Sequence, residues 1–476
     1  MIEHNELFFL PAYKLKELMI SKQISPVELT KLFLDRIQQF NPLLHAFLHI
    51  TADTAIEAAK NAEALLMRGG GLSLPLFGVP ITVMDNIHMK GVPTTYGSLL
   101  FKDAIPAEDS LLVARLKAAG AVILGKTNMS EFGLYPSTEN RLSPPSCNPW
   151  NPAYSAGGGS GGAASAVAAG LTPLAIAADI NGGIRLPGSF CGVFGLKPTR
   201  GKIPFVHGSA VPPAERMLFH EGIITRSPKD TALALHVLAQ VDAHDHESYF
   251  AKIATEWVKH DSLRKLRIGF SLDFGFIKVA PEVLTIFNQA KKHLLDAGHT
   301  VQEITLNLDQ GILSQYCDVV SVDKYLGVLP VLSSQPESFT LFTDYMQWWM
   351  KRAKQVTGLH YSAAFMTFGW VADMIDNALK DCDILITPTV PVPPFLQSQF
   401  PQAIEGQRID PHVGLCAFTI PCNMSGHPAL SIPCGMTKSG LPIGLQAIGK
   451  SYDDELLLQF GSICEALFST SSLLAK

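Results

Sequence analysis

Two stretches decide how this chain reads: Ser155-Ala-Gly-Gly-Gly-Ser-Gly-Gly162 and Asp179-Ile-Asn-Gly-Gly-Ile-Arg185. Glycine runs of this kind allow close backbone approach and tight turns into helices. Between them, Ala163 to Ala178 carries no charged residue. With the glycine loop, that segment approaches the length of a membrane span. It is rich in Ala and Gly, however, and Gly170 and Pro173 divide it. A buried helix followed by a buried strand is the expected outcome.

Outward from this centre the chain alternates. The first 70 residues read as helices. Ser25-Pro26-Val-Glu28 starts one, with Ser as cap and Pro in the first turn. Leu29, Leu32, Phe33, Ile37 and Phe40 continue it at helical spacing, and Asn41-Pro42 is expected to stop it. Ala52 to Met67 is a second helix, ended by Gly69-Gly-Gly71. Short apolar strands are expected at 79–83, 121–124, 174–176, 266–270, 300–304, 384–386 and 429–432. Helices are expected at 110–119, 161–169 and 281–297. This alternation predicts an α/β fold around a mixed, largely buried sheet. The stretch from about 308 to 382, with Met346, Trp348, Trp349, Met350 and Met366, is read as packing and covering helices, with an apolar lid or pocket wall as the other reading.

Composition narrows the class. Of 476 residues, 47% are hydrophobic, enough for a large core; length alone suggests two or three domains. The net charge of −5 gives no basic footprint for nucleic acid, so no direct nucleic-acid partner is expected. Lys90, Lys102, Lys117 and Lys126 are scattered rather than clustered. The start, Met1-Ile-Glu-His-Asn-Glu-Leu, has no basic or apolar leader, so a cytoplasmic location without membrane attachment is expected. Eight cysteines form no C-x-x-C pair; reduced, buried thiols are expected and no metal site.

Further stretches join the first two: Gly78-Val-Pro-Ile-Thr-Val-Met-Asp-Asn-Ile87, Thr94-Thr-Tyr-Gly-Ser98, Gly125-Lys-Thr-Asn-Met-Ser-Glu-Phe132 and Ser137-Thr-Glu-Asn140. Phe190-Cys-Gly-Val-Phe-Gly-Leu-Lys-Pro-Thr199, Asn423-Met-Ser-Gly-His-Pro428 and Gly440-Leu-Pro-Ile-Gly-Leu-Gln446 follow. In this order they resemble the amidase signature family, with its G-V-P-I-x-V-K-D-N, G-G-S-S-G-G and D-(T/I)-G-G-S-I-R patterns. The resemblance implies one α/β/α domain over 1–476, with a large mixed central sheet covered by helices. Its parts would be a helical N-terminal portion (1–70), a signature core (71–205), a variable cover and pocket region (206–382), and closing strands with a helix (383–476). It also implies hydrolysis of, or transfer from, amides without metal or organic cofactor. Members include fatty-acid amide hydrolases, small-molecule amidases and the A subunit of tRNA-dependent amidotransferases.

The family's chemistry uses a neutral lysine that draws a proton through a serine held by a cis peptide, which activates a second, nucleophilic serine. The matching positions here are Met84, Gly159 and Gly183. A thioether is not a base at ordinary pH, and glycine has no hydroxyl. Base, relay and nucleophile are absent together. The resemblance places oxyanion-binding N–H groups at Ile180, Asn181, Gly182 and Gly183, and backbone donors outlast side-chain replacement. Asn181 replaces a family glycine. Asp85, Thr127, Asn128, Ser160, Asp179 and Arg185 are expected to brace the loops. Ser160 is the nearest remaining hydroxyl, but no base is evident beside it. Cys191, Cys416 and Cys422 read as buried thiols, and neither His88 nor His427 reads as catalytic.

The expectation is therefore a pseudo-amidase with a binding or regulatory role, a small-molecule amide or carboxylate ligand, and protein partner subunits. Two alternatives stay open. One is an amide hydrolase with altered chemistry; the other is an active amidase inactivated by design, which Asn181 fits poorly.

Overall fold

The computed structural model describes residues 4–205, 217–250, 265–397 and 399–468. The start of the expected cover region, 206–216, and the stretch 251–264 lie outside them. Fifteen strands are described: β1 (Phe47–Ile50), β2 (Pro80–Met84), β3 (Val122–Thr127), β4 (Cys147–Asn148), β5 (Asn151–Ser155), β6 (Leu174–Asp179), β7 (Phe194–Lys197) and β8 (His220–Thr225). Then come β9 (Arg267–Phe270), β10 (Thr300–Glu303), β11 (Ile384–Pro388), β12 (Ala403–Ile404), β13 (Gln407–Arg408), β14 (Ala429–Met436) and β15 (Pro442–Ile448).

Eleven of these form one mixed sheet in the order β1-β3-β2-β6-β8-β7-β14-β15-β11-β9-β10. β2 runs parallel to both β3 and β6, and β6 runs antiparallel to β8. Every residue of β2, β3, β6, β7 and β8 is buried. Strands covered on both faces read as unbroken apolar runs rather than alternating ones. Helix Gly161–Ala168 packs against this part of the sheet, and its eight residues are all buried. Its small side chains permit the contact: a Cβ on Gly162 would stand 2.5 Å from the Asn128 carbonyl oxygen. Helix Arg185–Cys191 packs on β14 and β15, and helices Pro281–Asp296 and Asp454–Leu467 pack on β14 and on each other.

The expected first helix start holds: Ser25 Oγ accepts from Glu28 N at 3.0 Å. Its expected stop does not. Pro42 lies inside a helix that runs Pro26–Leu44. A proline near a helix end forfeits one amide donor, and two more residues continue the turn before His45 closes it in a left-handed conformation. Asn41 serves the exit, its Oδ1 accepting from Phe47 N at 2.9 Å. The 308–382 stretch forms helices Gly311–Ser334, Asp344–Ala353 and Gly358–Ala378. Met346, Trp349 and Met350 are buried as packing residues; Met366 instead faces outward, 79% exposed. Among the described residues no helix is long and apolar enough to cross a membrane. All eight cysteines are buried and unpaired.

Candidate functional site

Parallel pairing brings the carboxyl ends of β2 and β6 side by side, where open α/β sheets place their ligand crevices. β2 ends at Met84 and β6 ends at Asp179. Two loops meet above them: 156–160, leading into helix Gly161–Ala168, and 180–184, leading into helix Arg185–Cys191. They are tied together by Ser160 N donating to the Gly183 carbonyl at 3.0 Å.

Ser160 links the three positions singled out above. Its Oγ lies 3.1 Å from Met84 Sδ and 3.0 Å from the Ala178 carbonyl oxygen. One hydroxyl proton serves both, and the carbonyl is the better acceptor. Gly159 precedes Ser160, and Gly183 is bonded to it. Met84, Gly159, Ser160 and Gly183 are thus brought together, all buried. No peptide bond among the described residues is cis.

The two glycines differ in the space around them. A Cβ on Gly159 would meet the Gly133 carbonyl oxygen at 3.1 Å. A Cβ on Gly183 would meet the Ala178 carbonyl oxygen at 2.6 Å. The first needs a small adjustment; the second cannot form unless backbone moves. Gly182, which faces Thr419, has a φ of +115°, open to glycine and strained for other residues.

The 180–184 loop is held by a buried ion pair. Arg185 donates to Asp179 through Nε at 2.9 Å and Nη2 at 2.8 Å, and both side chains have no exposed surface. Asp179 also accepts from Gly182 N at 2.8 Å, Ile184 N at 3.2 Å and Asn423 Nδ2 at 3.0 Å. Burial would raise the Asp179 pKa, but the adjacent guanidinium and Asn423 outweigh it and hold the carboxyl well below the usual carboxylate range. Arg185 completes its set with the Thr419 carbonyl at 2.9 Å, Gln446 Oε1 at 2.8 Å and Asn423 Oδ1 at 2.5 Å. Carbonyls of the same loop are fixed from outside: Tyr316 Oη donates to Ile180 O at 2.9 Å, and Thr419 Oγ1 to Asn181 O at 2.6 Å.

These bonds sort the four N–H groups expected to face a ligand. That of Gly182 is committed to Asp179. Among the described residues nothing accepts from those of Ile180, Asn181 and Gly183. Among the described residues Asn181 Nδ2 is buried without an acceptor, and the Thr127 hydroxyl, level with Met84 on β3, is buried without a partner. Buried donors without partners are costly, and a ligand oxygen is one remedy.

The other expected bracing residues lie nearby. Asp85 accepts from Thr95 N at 3.0 Å and from the Thr95 hydroxyl, and it pairs with buried Lys126 at 3.3 Å. Asn128 donates to the His45 and Pro144 carbonyls and accepts from Asn140 Nδ2 at 2.7 Å, joining the 137–140 turn to β3. Cys191, Cys416 and Cys422 are buried with thiol pKa values pushed up by burial. His88 pairs with Tyr96 at 2.6 Å, and His427 Nε2 with Asp376 at 3.1 Å.

Sequence reasoning missed several neighbours. Asn423 and Gln446 lie within quoted motifs, so the signal was present without a role attached. Thr419, Tyr316 and His220 carried none. His220 sits opposite Asp179 in the β6–β8 register, its Nδ1 2.8 Å from the Leu218 carbonyl and its Nε2 unpartnered among the described residues. Lys197, fully buried on β7, donates to the Pro198 carbonyl at 2.8 Å. Burial, then the Arg185 charge, pushes its pKa down to about 7.

Known proteins share this architecture. The Amidase family pattern matches residues 28–458. The A subunit of the glutamyl-tRNA(Gln) amidotransferase of Nostoc sp. (strain PCC 7120 / SAG 25.82 / UTEX 2576) is 35% identical over 94% of this chain and 95% of its own. A bacterial aryl acylamidase of the amidase signature enzymes superposes with a TM-score of 0.89 at 28% identity, covering 98% of both chains. A 6-aminohexanoate cyclic dimer hydrolase, solved with its substrate, superposes at 0.87 with 29% identity, covering 98% of this chain and 99% of that one. With this sequence likeness and this sheet, the chain belongs to the amidase family.

Proposed function

We propose that this protein is an amidase scaffold that binds a small carboxylate- or amide-bearing ligand and does not hydrolyse amides through a serine nucleophile. One observation carries the reading. At the meeting point of β2, the glycine loop and the 180–184 loop, the serine hydroxyl, Ser160, faces a thioether and a backbone carbonyl. Neither accepts a proton at ordinary pH, so nothing there turns Ser160 into an alkoxide. Met84, Gly159 and Gly183 stand where a lysine base and two serines would be needed. The donors remain: the N–H groups of Ile180, Asn181 and Gly183, and Asn181 Nδ2. Such a nest suits a carboxylate or carbonyl oxygen. The Asp179–Arg185 pair keeps its shape and is internally neutral, so the nest adds no competing negative charge.

A role within an assembly is part of this proposal, because the similar Nostoc protein is one component of an amidotransferase. The test is calorimetric titration with small carboxylates and the matching primary amides. Binding of at least one class is expected, weakened roughly tenfold or more by Asn181→Ala, which removes one charge-assisted donor. Absence of binding by both classes, or binding indifferent to Asn181→Ala, defeats the reading. A second reading has one observation in its favour. The same unspent donors would stabilise the oxyanion formed when water adds to an activated acyl group. It requires turnover that Asn181→Ala reduces.

A further inference from the structure

Helix Gly358–Ala378 buries one face and leaves the other uncovered. Ala364, Phe368, Val371 and Ile375 point into the protein. On the opposite side Leu359 and Met366 are each 79% exposed and Trp370 is 41% exposed. His360, Ser362, Ala363 and Gly369 are the other exposed residues between Leu359 and Trp370. From Gly358 to Ala372 there is no Asp, Glu, Lys or Arg. A surface helix ordinarily carries charge on its outer face. Here the three large side chains leave on the order of 400 Å² of apolar surface in one stripe, a size that even on a monomer often marks a functional surface.

We infer that this stripe is a self-association surface, on which the same helix of a second copy packs antiparallel about a two-fold axis near Met366. The charges at its two ends select this occupant. Exposed Lys351 and Lys354 precede the helix, and exposed Asp373, with Asp376 that also bonds His427, closes the stripe at the other end. Antiparallel pairing sets the basic end of each copy against the acidic end of the other. It also sets bulk against space. With Met366 opposite itself, Trp370 falls opposite Ser362, beside Ala363, of the second copy, and Leu359 falls opposite Asp373. A self-complementary patch of this kind defines an isologous dimer. The stripe supplies about half of the ~800 Å² that each side of a standard interface buries, and the small residues and charged ends extend it. A membrane surface is a poorer match. Interfacial helices carry Lys and Arg on their polar face, whereas this stripe ends in two carboxylates.

Sedimentation velocity of the full chain, from below micromolar to tens of micromolar, tests the inference. A dimer that dissociates on dilution is expected. Met366→Glu and Trp370→Glu should each weaken it roughly 30-fold or more, as for central interface anchors. Lys354→Asp should weaken it less. Leu43→Glu, on exposed surface elsewhere, should leave it unchanged. Circular dichroism of each variant confirms folding. A chain that stays monomeric at tens of micromolar overturns the inference, whether or not it then binds lipid vesicles. A dimer indifferent to both Met366→Glu and Trp370→Glu overturns it equally.

Discussion

Adding a single methyl group at Gly183 should cost more than adding one at Gly159, although the positions lie in adjoining loops. At Gly183 the new Cβ would stand 2.6 Å from the Ala178 carbonyl oxygen. That is roughly 0.8 Å inside ordinary van der Waals contact. Relief requires the 180–184 loop to move, and Asp179 grips that loop at Gly182 N and Ile184 N while Ser160 N holds the Gly183 carbonyl. Overpacking against fixed backbone costs about 1–3 kcal/mol. At Gly159 the nearest atom would be 3.1 Å away, a shortfall of a few tenths of an ångström. There the reduced freedom of the unfolded chain, about 0.4–1 kcal/mol for Gly→Ala, offsets most of the cost. Thermal unfolding by differential scanning calorimetry checks this. For a chain of this length each kcal/mol shifts Tm by about 1 °C. Gly183→Ala should lower Tm by about 1–3 °C and Gly159→Ala by less than about 1 °C. A Gly183→Ala protein as stable as the parent, with Gly159→Ala the weaker one, would refute the packing argument. The same contact bears on any attempt to restore a serine at 183: the loop occupies the space its Cβ would need.

Other outcomes follow from the same neighbourhood. Asp179→Asn removes the charge facing buried Arg185 and should destabilise the fold by about 3–5 kcal/mol, read from chemical denaturation. Lys197 has a folded pKa of about 7 against about 10.4 unfolded, so the unfolded chain binds the extra proton between those values. Its contribution to stability therefore rises with pH from about 7 to about 10, by on the order of 4 kcal/mol in all, and Lys197→Met should flatten that slope in denaturation midpoints. His220, whose pKa burial pushes well below its usual value, acts with the same sign below pH ~6.5: stability falls as acid protonates the unfolded chain first. Ser160→Ala should lower stability by about 1 kcal/mol, since Ser160 Oγ bonds the buried Ala178 carbonyl.

The elements around the site were legible because their signals are local. Helix Ala52–Met67 ends where the glycines begin, and β2 and β6 show as apolar runs between turns. The convergence of Met84, Gly159 and Gly183 was readable from ordered motifs rather than from periodicity. What stayed hidden depends on distant partners. β1 is four residues at the sheet edge, with a mixed burial pattern and no clear period. The helix through Pro42 continues because only one donor is lost. Gly182 N was expected to face a ligand, yet its commitment to Asp179 needs the turn geometry to be known. The Gly183–Ala178 contact and the Thr419, Tyr316 and Gln446 bonds depend on how the chain folds back on itself, not on local pattern. Met366 resembled its buried methionine neighbours in composition, and only the helix orientation places it outside.

The most direct measurement is ammonia or amine release from a panel of simple carboxylic amides by the native chain, beside Ser160→Ala. The expected result is no release above the uncatalysed rate by the native chain or by Ser160→Ala. Amide turnover by the native chain that Ser160→Ala abolishes would contradict the central claim and would make Ser160 the nucleophile, activated by a base other than residue 84.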